Sequence, residues 1–130
     1  MPNAPQPNRK QVGKSGEADA ARFLVSRGYK VAGVNVRPLP GLARGEIDIV
    51  ARDGAILCFV EVKTRRTKAL PPDLGITASK RKQLIMLADA YLSVNNLDPE
   101  ICRFDVVSVW TDPALPCPML LLHKDAFGVE

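Results

Sequence analysis

The chain has 130 residues, 46% of them hydrophobic and 25% charged, which is the balance of an ordinary folded domain. This length fits one domain and excludes a large multidomain protein. No run approaches the roughly 18 apolar residues of a membrane-spanning helix, and the N-terminus lacks the apolar core of a secretory signal, so we expect a cytoplasmic protein without a membrane partner. The net charge of +4 favours anionic partners, nucleic acid among them.

Several common kinds of site are excluded by the residues available. Cys58, Cys102 and Cys117 are odd in number and show no C-x-x-C spacing, so neither a disulfide framework nor a structural zinc site is expected. His123 is the only histidine, which excludes a histidine-based metal cluster. No G-x-S-x-G or P-loop sequence is present to suggest serine hydrolysis or nucleotide binding.

The first third of the chain predicts a helix and a strand. Residues 1–12, which contain three prolines and several polar residues, are expected to form a disordered tail before a single domain over 13–130. Helical periodicity predicts a helix over 13–28, ended by its last glycine. A strand over 29–36 and a proline-containing loop over 37–44 follow.

The next segment predicts a β-hairpin. Residues 46–52 and 55–63 are rich in Ile, Val and Phe, which is typical of strands. Asp53 and Gly54 between them are a strong two-residue turn sequence. We therefore expect these two residues to form the turn, with the residues on either side of them paired.

Counting back from this turn predicts which side chains meet across the hairpin. Asp48 is expected opposite Phe59, and Glu46 opposite Glu61. Because strand side chains alternate, the three acidic residues and Lys63 then share one face of the sheet. Asp48 and Glu61 become diagonal neighbours, close enough for their carboxylates to interact.

The remaining elements predict a mixed sheet flanked by helices, an α/β fold class. A basic, proline-containing connection occupies 65–76. Thr77 is a suitable N-cap for a helix over 78–94. Two further strands are expected at 101–110 and 119–123.

Clustered carboxylates repel each other and need a positive partner. A hard cation such as Mg²⁺ suits Asp48 and Glu61, because it binds through one or two carboxylates, retained waters and a substrate phosphate. Phosphodiester hydrolysis uses such a site, and the ammonium of Lys63 would steady the charge that grows on the phosphate. The alternative is that Glu61 and Lys63 form a solvated ion pair.

Two long runs carry a family resemblance. Residues 45–54 (GEIDIVARDG) and 59–65 (FVEVKTR) closely resemble the YraN family of small bacterial proteins. Further agreement lies in 13–17 (GKSGE) and 103–107 (RFDVV), so the resemblance covers residues 13–110. It implies a fold similar to the restriction-endonuclease-like superfamily, and in particular to the archaeal Holliday-junction resolvases.

The resemblance also implies an activity and a set of site residues. Carried across, the catalytic residues are Glu17, Asp48, Glu61 and Lys63, and the first three of them are the ligands of Mg²⁺ or Mn²⁺. The activity expected is metal-dependent endonuclease cleavage of DNA, branched or structured DNA in particular. For Glu17 the alternative is stabilisation of the helix N-terminus through the helix dipole.

Basic residues are expected to form a rim that binds nucleic acid through its phosphates. They are Arg65, Arg66, Lys68, Lys80, Arg81 and Lys82. Such runs also occur as plain solvated faces. Aromatic residues make up only 5% of the chain, so base stacking is a weak prospect, and recognition of backbone and shape fits better.

Rival functions remain open from the sequence. The chain could be a catalytically silent nucleic-acid-binding module that keeps the nuclease fold, or a protein-interaction adaptor. Clustered acids favour the enzyme, because a pure phosphate binder gains nothing from them. A homodimer would suit a substrate with two scissile strands.

Overall fold

The computed structural model describes residues 9–38, 41, 45–65 and 75–128, with side chains from Gly16 onward. In this part of the chain the elements follow the order α1 (Arg9–Ser26), β1 (Lys30–Val36), β2 (Ile47–Asp53), β3 (Ile56–Arg65), α2 (Ala78–Val94), a 3₁₀ helix (Pro99–Ile101), β4 (Cys102–Trp110) and β5 (Met119–Phe127). Neither α-helix has the length and apolar character of a membrane-spanning segment.

The five described strands form one sheet in the order β1-β2-β3-β4-β5. Strands β3 and β4 run parallel, and the other neighbours are antiparallel. The parallel pair is possible because α2 carries the chain back across the sheet between β3 and β4. The predicted mixed sheet with flanking helices, and with it the α/β class, is confirmed.

The predicted start of the first helix is wrong, and the predicted bounds of the second helix are confirmed. Helix α1 begins at Arg9, so residues 9–12, which were expected in the tail, are helical. The tail prediction for 1–8 lies outside the described residues. Helix α2 has the predicted bounds, and its first turn is capped by the Thr77 hydroxyl, which accepts a hydrogen bond of 3.1 Å from the Lys80 backbone N–H.

The hairpin register differs from the predicted one by two residues. Asp53 is the last residue of β2 and pairs with Ile56, so Gly54 and Ala55 form the turn. Gly54 has a φ of +61° while Ala55 does not have a positive φ, a combination that suits a type II′ turn. The prediction was wrong because it assigned to Asp53 a place in the turn that the structure gives to Ala55.

The two helices cover opposite faces of the sheet, and each helix packs on its own apolar cluster. The cluster under α1 consists of the buried residues Ala20, Leu24, Tyr29, Ile49, Ala51, Cys58, Val60, Val107 and Val109. The cluster under α2 consists of Ile47, Val50, Leu57, Phe59, Leu84, Leu87, Ala88, Leu92 and Phe104. Because strand residues alternate between the two faces, odd-numbered side chains of β3 point towards α2.

A buried ionic cluster ties the turn end of the hairpin to β4. Arg103 donates to both carboxylate oxygens of Asp105 (2.8 and 2.9 Å) and to Asp53 (2.9 Å). Asp105, which is fully buried, also accepts from the Tyr29 hydroxyl (3.1 Å) and from the backbone N–H of Asp125 (2.9 Å). All of these bonds lie within the fold, so we assign the cluster a structural role.

Candidate metal-binding active site

The site lies where β2 separates from β3. The regular pairing of the hairpin ends with Ile49 opposite Val60. One residue earlier in β2, the carboxylate of Asp48 accepts a hydrogen bond of 2.9 Å from the backbone N–H of Val62. A side chain therefore takes a backbone donor of β3, which fixes the carboxylate at the edge between the two strands.

The corrected register places Asp48 across from Glu61 instead of diagonal to it, when the pairing is continued by one step. Glu61 is 5% exposed, and its Oε2 atom is buried without a hydrogen-bond partner in the described structure. A buried charged oxygen without a partner is costly and rare. The two acids therefore interact, as the sequence predicted, but as facing residues and not as diagonal ones.

Burial and mutual repulsion set the protonation of the pair. Burial, followed by the negative charge of Asp48, raises the pKa of Glu61 from 4.5 to about 7. Burial also raises the pKa of Asp48, while the hydrogen bond from Val62 and the charge of Lys80 act in the opposite direction. The interaction between the two carboxyl groups acts to lower the pKa of Asp48 and to raise the pKa of Glu61, which favours the proton on Glu61.

Two lysines supply positive charge to the acidic pair. The Nζ atom of Lys80, in the first turn of α2, lies 3.9 Å from Oε1 of Glu61. Lys63 follows Glu61 by two residues on β3, so it emerges on the same face, and its charge lowers the pKa of Glu61. Lys80 was predicted only as part of a phosphate-binding rim, whereas the structure brings it to the acids themselves.

Glu46 does not join the acidic pair as a facing residue. Its prediction opposite Glu61 was wrong because of the two-residue shift in register. Its carboxylate instead receives a hydrogen bond of 2.8 Å from Arg37, which is exposed, while Glu46 itself is half-buried. Glu46 still influences the site at longer range, since its charge contributes to raising the pKa of Asp48.

Glu17 is half-buried on α1, next to a close contact between helix and sheet. Its neighbour Gly16 is buried against the side chain of Thr64 in β3. Within the described residues, however, no three Asp, Glu, His or Cys side chains are grouped so that they could hold a metal ion. The structure therefore brings Asp48 and Glu61 together, and the ligand role of Glu17 stays a prediction.

We expect the Gly16→Ala variant to lose about 1–3 kcal/mol of stability, the usual cost of overpacking. A methyl group at this position would overlap the Thr64 hydroxyl. In a Thr64→Ala background the nearest remaining atom of residue 64 would be the Cβ at 3.4 Å, an ordinary contact. There the same change should be neutral or slightly stabilising, because alanine favours a helix. Urea denaturation of all four proteins measures this, and equal losses in both backgrounds would contradict it.

A second glycine sets the path of the chain into β2. Gly45 has a φ of +92° and lies so close to the amide of Gln83 in α2 that a Cβ would overlap it. The positive φ requires glycine, whereas the Gln83 amide is the end of a flexible side chain that can move aside. The contact holds the start of β2 beside the first turns of α2, which places Asp48 near Lys80.

The predicted basic rim is only partly described. Arg65 lies with its guanidinium against Gly75, and its carbonyl accepts a hydrogen bond of 2.9 Å from the Thr111 backbone N–H. Arg81 and Lys82 are exposed on α2. The remaining two predicted rim residues, Arg66 and Lys68, lie outside the described residues.

The acidic pair fits a divalent cation by the chemistry of its donors. Two facing carboxylates match the number that Mg²⁺ commonly takes from a protein, with water and phosphate completing the shell. The buried Oε2 of Glu61 is a ligand atom without any other partner in the described chain. Binding a cation would resolve both the missing partner and the repulsion between the carboxylates.

These features define a small mixed α/β domain with a buried acidic pair at the open end of a hairpin. Comparison with known proteins then identifies its relatives. The sequence profile of the uncharacterised protein family UPF0102 matches residues 16–109. The chain therefore belongs to this family, which is also called the YraN family.

Relatives at high identity cover most of the chain. A UPF0102 protein of Symbiobacterium thermophilum is 45% identical over 105 residues, covering 80% of this chain and 86% of its own. A UPF0102 protein of Dehalococcoides mccartyi is 41% identical over 125 residues, covering 95% and 98%. Among solved structures, Archaeoglobus fulgidus Hjc, a Holliday junction resolvase, matches with 24% identity and a TM-score of 0.44, covering 86% of this chain and 76% of its own.

Proposed function

We propose that the protein is a metal-dependent endonuclease that hydrolyses phosphodiester bonds in DNA, including branched or structured DNA. The observation that carries this proposal is the buried, unpartnered oxygen of Glu61 facing Asp48, with two lysines beside it. A fold gains no stability from such a group, and perturbed acids with specific charge partners are typical of functional sites.

Asp48 and Glu61 would hold one Mg²⁺ or Mn²⁺ ion, with Glu17 as a supporting acid. When bound, such a cation acidifies a water and neutralises charge on phosphate oxygens. Glu61 would release its proton on becoming a ligand. The hydrogen bond from Val62 keeps the Asp48 carboxylate oriented in the absence of the cation, so little reorganisation is needed.

The lysines have separate roles in this proposal. Lys63 would contact the phosphate and stabilise the negative charge that develops on it, as a positioned ammonium does. Lys80, at 3.9 Å from Glu61, would neutralise the pair while no cation is bound. Arg81 and Lys82, which are exposed on the same helix, would bind flanking phosphates in a salt-dependent way.

The second candidate is a nucleic-acid-binding module with the same fold and no catalysis. The observation that favours it is that no group of three metal-ligating side chains occurs within residues 16–38, 45–65 and 75–128. The acidic pair argues against it, because two carboxylates beside a phosphate weaken binding unless a cation lies between them.

Incubation of the purified protein with supercoiled plasmid and with a labelled branched DNA tests the proposal. We expect nicking or cleavage with Mg²⁺ or Mn²⁺ and none with EDTA. Lys63→Met should lower the rate by roughly a hundredfold, the usual effect of losing one charge-stabilising group. Lys124→Met is the matched control, because Lys124 pairs with Asp53 at the other end of the hairpin. Salt-sensitive DNA binding without cleavage under either metal would overturn the enzyme and support the module.

A further inference from the structure

Part of the α2 face of the sheet lies outside the cluster that packs on α2. Val107 and Val109 of β4 are buried in the cluster under α1, so Ser108 and Trp110 point to the opposite face. Leu120 and Leu122 of β5 pack on the same α1 cluster. The residues that alternate with them on β5 therefore point to the α2 face as well. We call the resulting surface the open strip; it consists of Ser108, Trp110, Met119, Leu121 and His123.

The strip is continuous with the candidate active site. Its cross-strand rows run from β3 over β4 to β5: Glu61–Val106–His123, Lys63–Ser108–Leu121 and Arg65–Trp110–Met119. The row that contains the catalytic acid is therefore the first row of the strip. Neighbouring strands are about 4.8 Å apart and alternate residues about 6.6 Å, so Trp110 lies roughly 8 Å from Lys63 between backbones.

Helix α2 covers the other end of these strands. The residues of β3 and β4 that it covers, Leu57, Phe59 and Phe104, precede Glu61 and Val106 along the chain. Beyond that point Met119 is 52% exposed and Leu121 is 38% exposed. The strip thus presents apolar surface beside a polar site.

Trp110 is the only tryptophan of the chain, and no described residue accepts a hydrogen bond from its indole N–H. That atom is buried and has no acceptor in the described structure, and Nε2 of His123 is in the same condition. An unpaired buried donor costs stability, so nothing in the described structure favours tryptophan over phenylalanine or leucine at this position. A flat aromatic ring beside the site needs another reason.

The charge of the strip indicates an anionic occupant. Its border on β3 carries Lys63 and Arg65 against the single acid Glu61, which the proposed cation would neutralise, and the strip itself carries no acidic side chain. A phosphate bound by Lys63 would place the adjoining base over the strip. The base would then lie about as far from Lys63 as Trp110 does. Paired bases are stacked inside a duplex and cannot reach a flat sheet face, whereas an unpaired base can stack on an indole.

We propose that the open strip binds an unpaired nucleotide next to the scissile phosphate, so that the substrate is DNA with a single-stranded segment, such as a flap or an open branch. This inference rests on the proposed nuclease function and names the substrate class of that site. It revises the expectation from composition that stacking contributes little, because one aromatic residue suffices when it adjoins the reacting phosphate.

The single tryptophan provides a direct probe. The full-length Glu61→Gln protein is used in EDTA, so that no cleavage occurs and the acidic pair does not repel the phosphate. It is titrated with a single-stranded oligonucleotide, the same sequence as a blunt duplex, and a flapped duplex. We expect quenching of Trp110 fluorescence by the single strand and the flap, and little by the blunt duplex. Absence of quenching, or equal quenching by all three, would overturn the proposal.

Variants at the strip test the contribution of the ring. With dye-labelled single strand, Trp110→Leu should weaken binding about tenfold, and Trp110→Phe should keep most of the affinity. Met86→Ala is the matched control, because Met86 is a 51% exposed apolar residue on α2. Equal single-strand affinity of Trp110→Leu and the parent would overturn the proposal, as would a dimer, detected by light scattering, that Trp110→Leu dissociates.

The two proposals fail in different ways. Quenching and tenfold weakening without cleavage under any divalent metal would refute the nuclease and leave the single-strand site standing. Cleavage of flapped and blunt DNA at equal rates by the parent and Trp110→Leu would establish the nuclease and refute the strip as a substrate site.

Discussion

Replacing Glu61 with glutamine should lower metal-dependent DNA cleavage by on the order of a hundredfold or more, because a metal ion supplies several kcal/mol of charge stabilisation to the reaction. Glutamine has nearly the same shape as glutamate but cannot serve as an anionic ligand. The assay is the initial rate of plasmid nicking at saturating Mg²⁺ or Mn²⁺.

The same variant should be more stable than the wild type in metal-free buffer above about pH 7. The pKa of Glu61 rises from 4.5 to about 7 on folding, so the folded protein binds more protons than the unfolded chain between these values. Wild-type stability therefore falls as the pH rises from about 4.5 to 7, and the glutamine variant escapes this loss, on the order of 3 kcal/mol. Below pH 4.5 the two proteins should be equally stable.

Glu46→Gln is the matched control for both measurements. Its carboxylate is partly exposed and paired with the exposed Arg37, close in sequence to the site but outside the facing pair. It should leave the cleavage rate within a few-fold of wild type and leave stability nearly unchanged, as is usual for an exposed ion pair. A Glu61→Gln variant that is less stable than wild type at pH 8 would show that the acid supports the fold and not a reaction.

Arg103→Met should lower the free energy of unfolding by about 3–5 kcal/mol, the cost of leaving a buried charge without its partner. Asp105 is fully buried, and two of its hydrogen bonds come from Arg103. The same substitution frees Asp53, which would loosen the turn end of the hairpin. Thermal or urea denaturation measures the loss.

Arg103→Lys separates the charge of this residue from its geometry. Lysine keeps the positive charge but cannot donate to both oxygens of Asp105 and to Asp53 in one plane. We expect Arg103→Lys to lower the free energy of unfolding by less than Arg103→Met does. The folded fraction of both variants should still cleave DNA. A loss below 1 kcal/mol for Arg103→Met would contradict the structural role of the cluster.

Local sequence patterns predicted the elements of the fold well. Thr77 and the apolar spacing behind it are sufficient to define α2, because capping and periodicity act within a few residues. The hairpin register was harder to predict. Gly54 fixes a positive φ but not whether Asp53 or Ala55 completes the turn, and the hydrogen bond from Arg103, 50 residues away, holds Asp53 at the end of its strand.

The site was predictable to the extent that it depends on strand alternation. Asp48 and Glu61 had to lie close together in either register, since a two-residue shift keeps side chains on the same face. Lys80 at the acids could not be foreseen, because its position depends on how α2 crosses the sheet and on the contact of Gly45 with Gln83. The place of Trp110 likewise follows only from the pairing of β3 with β4.

The most direct test of the central claim, that Asp48 and Glu61 together hold one divalent cation, is a calorimetric titration of Mn²⁺ into the wild type and into Asp48→Asn at pH 6 and pH 8. We predict a single site in the wild type that is tighter at pH 8, because Glu61 must lose its proton, and no binding in the variant. Absence of binding in the wild type at both pH values, with and without DNA, or equal binding in the variant, would contradict the account.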